Sequence, residues 1–407
     1  MNVFRYAFSF AALLGLCQCT DVAEEDPSLV ACDASEGTSG RAVVDHDKDG
    51  LDTDIAELSF GLQETTPERD ADFSRSEPPA AEASETAITL ESKFPRPRSQ
   101  GGQGSCVAWS VAAIATYYAS LREGKDPNDI WASPAFIYKR VLDEEKAECD
   151  KGTFVSDGLD QLVKEGTGSL TQKPYSDKSC DDGSTVEDPH RYQVGGWVRI
   201  TPFSRSEVKS TLSLGVPVAI GLQVPVNFRS WHGKGANRVF KSCRSVDGKA
   251  LGGHAMVIVG YDDTRNAYRI MNSWGTDWGD NGFMWWDYDD FEARKALEAY
   301  IVFPTNEAKA RTGVDAASLT VDFATAKRIT FGDFRGVSLK ITANAPIRIT
   351  EVSFSGPATF SKRYRKYVLD TYLLVEATNV PLGMYDVSLS GTINGASVVR
   401  NTKIEVK

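Results

Sequence analysis

The sequence has no apolar run long enough to cross a membrane beyond its first residues. A membrane-spanning helix needs about 20 apolar residues. Positive charge is also scarce, because 45 lysine and arginine residues face 56 aspartate and glutamate residues, for a net charge of −11. This balance argues against nucleic acid or an anionic membrane surface as the main partner of the 407-residue chain.

The first residues, MNVFRYAFSFAALLGLCQC at 1–19, place Arg5 ahead of a short apolar core. This pattern predicts a signal peptide, and hence a secreted or cell-surface protein, extracellular or periplasmic. Cys17 and Cys19 end the stretch, and a lipid anchor on one of them is the alternative to simple secretion.

The remaining cysteines are odd in number, so at least one thiol is free or paired with another chain. Some disulfides are expected in a secreted protein. These five cysteines are Cys32, Cys106, Cys149, Cys180 and Cys243.

The segment 20–89 is rich in acidic and small residues, which favours a mobile linker. Within it, DHDKDGLDTDIAE at 45–57 alternates carboxylates ahead of a glycine and resembles the short calcium repeats of thrombospondin type 3. Alternating carboxylates can wrap a structural Ca²⁺ ion, and a solvated acidic linker is the alternative. The candidate ligands are Asp45, Asp47, Asp49, Asp54 and Glu57.

The region 90–304 changes from helical to strand patterns, which predicts an α+β domain of two halves. Helices are expected at 106–124, at 133–146 with Ser133 as N-cap, and at 155–166. The first should carry one apolar stripe from Val107 to Leu121 and end at Gly124. Strands are expected at 196–200, 217–224, 253–261 and 267–274.

The region 308–407 shows only strand patterns, about six to seven of them, which predicts an all-β immunoglobulin-like sandwich. It contains no histidine or cysteine. A spacing role, or the binding of protein or carbohydrate, is therefore expected rather than chemistry.

Histidine is scarce, with four in the chain, and His254 alone begins a strongly apolar strand pattern. A turn-rich stretch near Asp263 predicts a hairpin with the next strand. Turning there, the hairpin would place Asn272 directly across from His254, with Cβ atoms ~5 Å apart. The Asn272 side chain would fix one imidazole nitrogen as a donor and leave the other for chemistry. The indole of Trp274 or of Trp278 would cover the pair.

Cys106 lies in the glycine-rich stretch SQGGQGSCVAWS, at the predicted start of a helix. The positive end of a helix and a nearby imidazolium both stabilise a thiolate. A cysteine–histidine pair with a third, orienting group is typical of covalent acyl transfer. The Cys106 backbone N–H and the Gln100 amide are candidate donors to the oxyanion.

Three stretches, QGGQGSCVAWS, GGHAMVIVGYDD and MNSWGTDWGDNGF, resemble in order and spacing the signatures of papain-like cysteine peptidases of clan CA. The resemblance covers 90–304 and implies a two-lobe fold, with a helical lobe and a β-barrel-like lobe around an active-site cleft. It implies Cys106 as nucleophile, His254 as general base and acid, Asn272 as its orienter and Gln100 in the oxyanion hole. The expected substrate is a protein or peptide, and no cofactor is required for catalysis.

Other features follow from the same resemblance. Gly152 and Gly253, with Trp274, are the substrate-binding candidates. Cys149 and Cys180 correspond to a common disulfide, which leaves Cys243 without an obvious partner except Cys32. Gln103 stands where many relatives have a disulfide cysteine, and in lacking that cysteine the chain resembles bacterial members of the family. The usual inhibitory propeptide is not recognisable before residue 90.

Two alternatives differ in class from a secreted cysteine endopeptidase. One is a non-catalytic surface binding protein on the same scaffold, which the presence of Cys106, His254 and Asn272 disfavours. The other is acyl transfer from an amide to an amine. The cysteine and histidine spacings contain no close ligand pairs, so a zinc site is not expected.

Overall fold

The computed structural model describes residues 30–31, 58–67, 69, 85–180, 186–233, 238–244, 250–294, 297–305, 316–331, 334–393 and 395–407. Three predictions lie outside the described residues: the signal peptide with Cys17 and Cys19, the calcium candidates, and Cys32. The suggested bond between Cys32 and Cys243 therefore stays a prediction. No helix in the described ranges is long and apolar enough to cross a membrane.

The first three helices lie close to where the sequence predicts them. Ser133 caps the start of the second through its side chain, and Gly124, in the left-handed conformation, ends the first. The fourth and fifth were not predicted. In the described ranges the helices are α1 Cys106–Glu123, α2 Pro134–Glu145, α3 Val155–Lys164, α4 Arg205–Ser213 and α5 Tyr288–Glu292.

Helix α1 is buried on every side from Cys106 to Ser120, not along a single stripe. Leu121, expected on that stripe, is 50% exposed. Small side chains allow close neighbours here: a Cβ at Gly158 of α3 would lie 2.8 Å from Val107. The central position of α1 fixes its first residue, Cys106, inside the domain.

The described strands of this part are β1 Val30–Ala31, β2 Ala87–Thr89, β3 Val194–Ile200, β4 Val218–Val224, β5 Cys243–Arg244, β6 Gly252–Asp262, β7 Ala267–Met271, β8 Phe283–Asp287 and β9 Glu298–Pro304. An antiparallel sheet in the order β3-β9-β4-β6-β7-β8 packs against the helices, and β2 pairs with β6. A separate two-residue strand pair, β1 and β5, is parallel.

The β6–β7 hairpin has a different register from the one predicted. Ile258 pairs with Ile270, so the ladder is shifted by two residues, and an irregularity follows Ile258. Strand β7 ends at Met271, before Asn272. Direct cross-strand pairing of His254 with Asn272 was therefore wrong, because Asn272 lies past the end of the ladder.

The C-terminal part is all-β, as predicted, with its own buried core. It has five long described strands in place of six to seven short ones, because one strand continues through Pro346 with a register shift between Thr342 and Ile347. Its immunoglobulin-like arrangement stays a prediction. The strands are β10 Val321–Phe331, β11 Phe334–Ser355, β12 Thr359–Glu376, β13 Gly383–Ile393 and β14 Ala396–Val406. Their order in the sheet is β10-β14-β13-β11-β12, and β10 also pairs with β11.

Strand β12 joins this β-module to the first domain through buried polar contacts. The Lys366 ammonium donates to the Trp197 carbonyl at 2.9 Å. Asp160 of α3 accepts from the Trp197 indole at 2.9 Å and from the Tyr367 backbone at 3.3 Å. Leu369 belongs to the core of the first domain. The module therefore packs directly on α3 and β3.

Candidate active site

The first turn of α1 meets the start of β6 and the chain that follows β7. A bridge between Ser99 and Trp274, with a hydrogen bond from the Gln100 N–H to the Ser273 carbonyl at 2.9 Å, holds the glycine-rich loop against that chain. This arrangement gathers the sequence-predicted residues of three distant segments into one place.

Cys106 is completely buried and has a free thiol. Its sulfur accepts a hydrogen bond from the Ala255 N–H at 3.4 Å, one residue beyond His254 in β6. The Gly61 backbone also hydrogen-bonds to the sulfur. The structure thus brings the predicted nucleophile to the strand that carries the predicted base.

His254 and Asn272 form the expected pair, with Nε2 of the imidazole 2.7 Å from the amide Oδ1. Because an amide oxygen only accepts, Nε2 carries the hydrogen and Nδ1 is the basic nitrogen. Nδ1 has no hydrogen-bond partner among the described residues. The Trp274 ring lies 4.9 Å from the imidazole and covers it, as predicted.

Gln100 is completely buried, and its amide is held in one orientation. Its Oε1 accepts from the Ser273 hydroxyl at 2.7 Å. Its Nε2 donates to the carbonyl oxygens of Gln103 at 3.0 Å and Ser59 at 3.2 Å. The predicted oxyanion donor therefore already binds a carbonyl oxygen from another segment.

That other segment, residues 58–67, lies along the site and is called the cleft segment here. Its backbone is fixed at both sides, with a parallel bridge between Leu62 and Thr153. The backbone hydrogen bonds run from Ser59 N–H to Gly101 O at 3.3 Å, Leu62 N–H to Gly253 O at 3.1 Å, Gln63 N–H to Thr153 O at 3.0 Å and Thr153 N–H to Gly61 O at 2.8 Å.

Phe60 of the cleft segment covers the catalytic candidates. Its ring centroid lies 5.8 Å from that of His254 and 5.5 Å from that of Trp274. The Arg229 guanidinium lies 5.1 Å from the Phe60 ring and donates to the Leu58 carbonyl at 2.9 Å. Aromatic and cationic contacts thus seal the site from one side.

Gly61 passes closest to the loop before Cys106. A Cβ on Gly61 would lie 1.9 Å from the Gly104 carbonyl oxygen, well inside any tolerated contact. Only glycine fits this approach. Further along the chain, Arg69 donates to the Ser156 hydroxyl at 3.2 Å and pairs with Asp157, both at the start of α3.

The covered site favours neutral side chains. Burial raises the pKa of the Cys106 thiol to about 11, against the lowering effect of backbone hydrogen bonds. Burial also lowers the pKa of His254 to about 4; the Asn272 hydrogen bond opposes this shift and the Arg229 charge adds to it. Burial therefore opposes the expected thiolate–imidazolium pair while the site is covered.

The predicted substrate-binding glycines both contact the cleft segment. The Gly152 carbonyl accepts from the Gln63 side chain. A Cβ at Gly152 or at Gly253 would lie 2.7 Å from a carbonyl oxygen of this segment, that of Gly61 or Leu62. Both glycines therefore line the cleft, and their role toward substrate stays a prediction.

Sequence reasoning missed four residues of the site: Phe60, Gly61, Arg229 and Ser273. Ser273 directly follows Asn272, so its proximity to Gln100 was open to inference. The segment 58–67 was included in the predicted acidic linker, so its folding back across the site was not predicted.

The Cys149–Cys180 disulfide is confirmed. In the described part of the chain, no group of three or more histidine, cysteine, aspartate or glutamate side chains is arranged to hold a metal ion. The calcium candidates fall outside that part, and the Ca²⁺ site stays a prediction.

A family model described as "Papain family cysteine protease" matches residues 88–302. Cathepsin B-like CP3 of Giardia intestinalis is 27% identical over 204 residues, 45% of this chain and 61% of that protein. The thiol protease aleurain of Arabidopsis thaliana is 28% identical over 200 residues, 46% and 50% of the two chains. The chain thus spans between half and about three fifths of these relatives' own lengths.

A solved structure with a similar fold is that of xylellain, described as a cysteine protease from Xylella fastidiosa. The alignment has a TM-score of 0.50 and 23% identity, and it covers 61% of this chain and 97% of that one. At this identity the likeness concerns the fold alone.

Proposed function

We propose that this chain, which belongs to the papain family of cysteine proteases, hydrolyses peptide bonds in proteins or peptides through Cys106. The observation that carries the proposal is the His254–Asn272 pair, whose geometry leaves Nδ1 as the base on the strand that contacts the Cys106 sulfur. Gln100 supplies a fixed amide donor beside it.

These positions support covalent acyl transfer. The Cys106 sulfur bonds to the peptide carbonyl carbon, its proton passes to Nδ1 of His254, and the oxyanion accepts from Gln100. His254 then protonates the leaving amine, and the carbon–nitrogen bond breaks to leave a thioester. Water next gives a proton to His254 and its oxygen bonds to the carbonyl carbon, and loss of the sulfur releases the acid and restores the thiol.

The proposal includes latency while the cleft segment is in place. Phe60 covers His254, Gly61 lies on the sulfur of Cys106, and the Ser59 carbonyl binds Gln100. A substrate carbonyl needs the same space and the same donor. Displacement or removal of the segment would therefore precede catalysis.

The protein is proposed to be secreted, or held at a bacterial cell surface by a lipid anchor at Cys17 or Cys19. This proposal rests on residues 1–19. The β-module is proposed to bind protein or carbohydrate. Its close packing on α3 supports a fixed position beside the peptidase domain.

Peptide-library cleavage by the full chain tests the function. All preparations carry Gly61→Ala to displace the cleft segment, and a second preparation adds Cys106→Ala. We expect cleavage and labelling of Cys106 by an epoxide thiol inhibitor in the first preparation only. An unlabelled Cys106 at neutral pH together with uncleaved peptides would overturn the proposal, and amide products formed only with an added amine would replace hydrolysis by transfer.

A further inference from the structure

The loop that carries the oxyanion donor has no covalent link of its own. Residues 100–105 read QGGQGS, and three glycines make such a loop costly to order. Gln103, where a disulfide cysteine was expected from relatives, instead donates from its side chain to the Cys149 sulfur at 3.7 Å. Other groups must hold Gln100 in place.

Tyr175 contacts both ends of this loop with one hydroxyl. It donates to the Gln100 carbonyl at 2.7 Å and lies 2.6 Å from the Ser105 Oγ. Because its single hydrogen goes to the carbonyl, Ser105 is the donor in the second bond. Burial raises the pKa of Tyr175 well above its ordinary value, so the hydroxyl keeps its hydrogen.

Tyr175 is itself held rigidly. Its ring packs edge-on against Trp109 of α1, with centroids 4.9 Å apart. The Ser133 hydroxyl donates to the Lys173 carbonyl at 2.7 Å on one side. On the other side, Asp177 accepts from the Gly102 N–H at 3.3 Å, ahead of the Cys149–Cys180 disulfide.

We propose that Tyr175 is a positioning residue for catalysis, which fixes the oxyanion donor Gln100 by joining the two ends of the loop before Cys106. The inference rests on the proposed peptidase function. Removing one oxyanion donor costs about 10²–10³ in kcat, so a loosened donor should cost part of that factor.

Tyr175→Phe in the full chain tests this role, because it keeps the ring contact and removes only the hydroxyl. All chains carry Gly61→Ala. We expect kcat to fall about tenfold and KM to stay within about twofold. Ser105→Ala removes one of the two hydrogen bonds, so its kcat should lie between those of the parent and of Tyr175→Phe. It provides a second measurement in case Tyr175→Phe folds poorly.

Tyr117→Phe is the matched control, because the Tyr117 hydroxyl donates to the Gly215 carbonyl at 2.7 Å away from the site. It should lower the melting temperature as much as Tyr175→Phe and leave kcat unchanged. In a Gln100→Ala background, Tyr175→Phe should change kcat by less than about twofold, because the donor it positions is gone.

A Tyr175→Phe rate equal to that of the parent would overturn the inference, as would a tenfold loss that persists in the Gln100→Ala background. A parent that labels at Cys106 and cleaves peptides while Tyr175→Phe behaves normally contradicts only the role of Tyr175. A parent that neither labels nor cleaves contradicts the peptidase function itself.

Discussion

Nε2 of His254 and Oδ1 of Asn272 lie 2.7 Å apart within a wall of aromatic rings from Phe60, Phe228 and Trp274. The rings exclude water, and the amide oxygen fixes which imidazole nitrogen carries the hydrogen. The pair is thus prepared for proton transfer at Nδ1 before any substrate arrives.

Asn272→Ala should lower kcat by about ten- to a hundredfold, a part of what general acid–base catalysis contributes. Asn272→Asp keeps an acceptor and adds negative charge, so it should raise the pKa of His254. Steady-state rates against pH, measured with Gly61→Ala present, would show the acid limb of kcat/KM moved upward in the aspartate variant. Parent-like rates for Asn272→Ala would contradict the orienting role.

Gly61→Ala should displace the cleft segment, since the new Cβ would lie 1.9 Å from the Gly104 carbonyl oxygen. A steric cost of about 1.4 kcal/mol is enough to raise the open population tenfold. We therefore expect peptide hydrolysis to increase by about tenfold or more over the unmodified full chain. Thr66→Ser is the control, because Thr66 is exposed and serine keeps the hydroxyl that accepts from the Arg69 N–H at 3.4 Å, so the rate should be unaltered. Equal rates for Gly61→Ala and the unmodified chain would speak against latency.

Alkylation of Cys106 by iodoacetamide should depend strongly on pH in the unmodified chain. The thiol pKa of about 11 keeps the neutral form dominant below that value, so the rate should rise about tenfold per pH unit from 7 to near 11. With Gly61→Ala the rise should begin and level off at lower pH, because solvent reaches the thiol. Mass spectrometry of the labelled chain, with Cys106→Ala as the blank, measures both; a plateau already at pH 7 in the unmodified chain is the contrary result.

Lys366→Ala should destabilise the protein by about 1–3 kcal/mol, because the buried Trp197 carbonyl loses its donor. Lys362, on the same strand but less buried, gives the matched alanine control. Calorimetric unfolding should show a lower melting temperature for Lys366→Ala alone. Equal melting temperatures in the two variants would remove Lys366 from the contacts that hold the module.

The sequence was sufficient for residues whose role is set locally. Cys106 was predicted at a helix start from a glycine-rich approach and an apolar continuation, and the helix begins there. Ser133 and Gly124 marked helix ends by side-chain capping and by left-handed backbone. These features depend on residues a few positions apart.

What depends on distant contacts was not predictable. The His254–Asn272 pair was expected for the wrong geometric reason, since the hairpin register follows an irregularity after Ile258 that no pattern marks. Phe60 lies within the predicted acidic linker, and its packing on His254 arises only once the cleft exists. The raised pKa of Cys106 follows from its burial in the assembled fold, not from its own neighbours in sequence.

Helix α3 holds two partners at once: its first turn binds Arg69, beyond the cleft segment, and Asp160 in its middle binds the β-module. The helix spans about 15 Å, so both attachments share one short rigid body. A ligand bound to the module would therefore be presented to the cleft in one fixed orientation. Orientation, rather than local concentration alone, would then decide which bonds of an immobilised substrate come within reach.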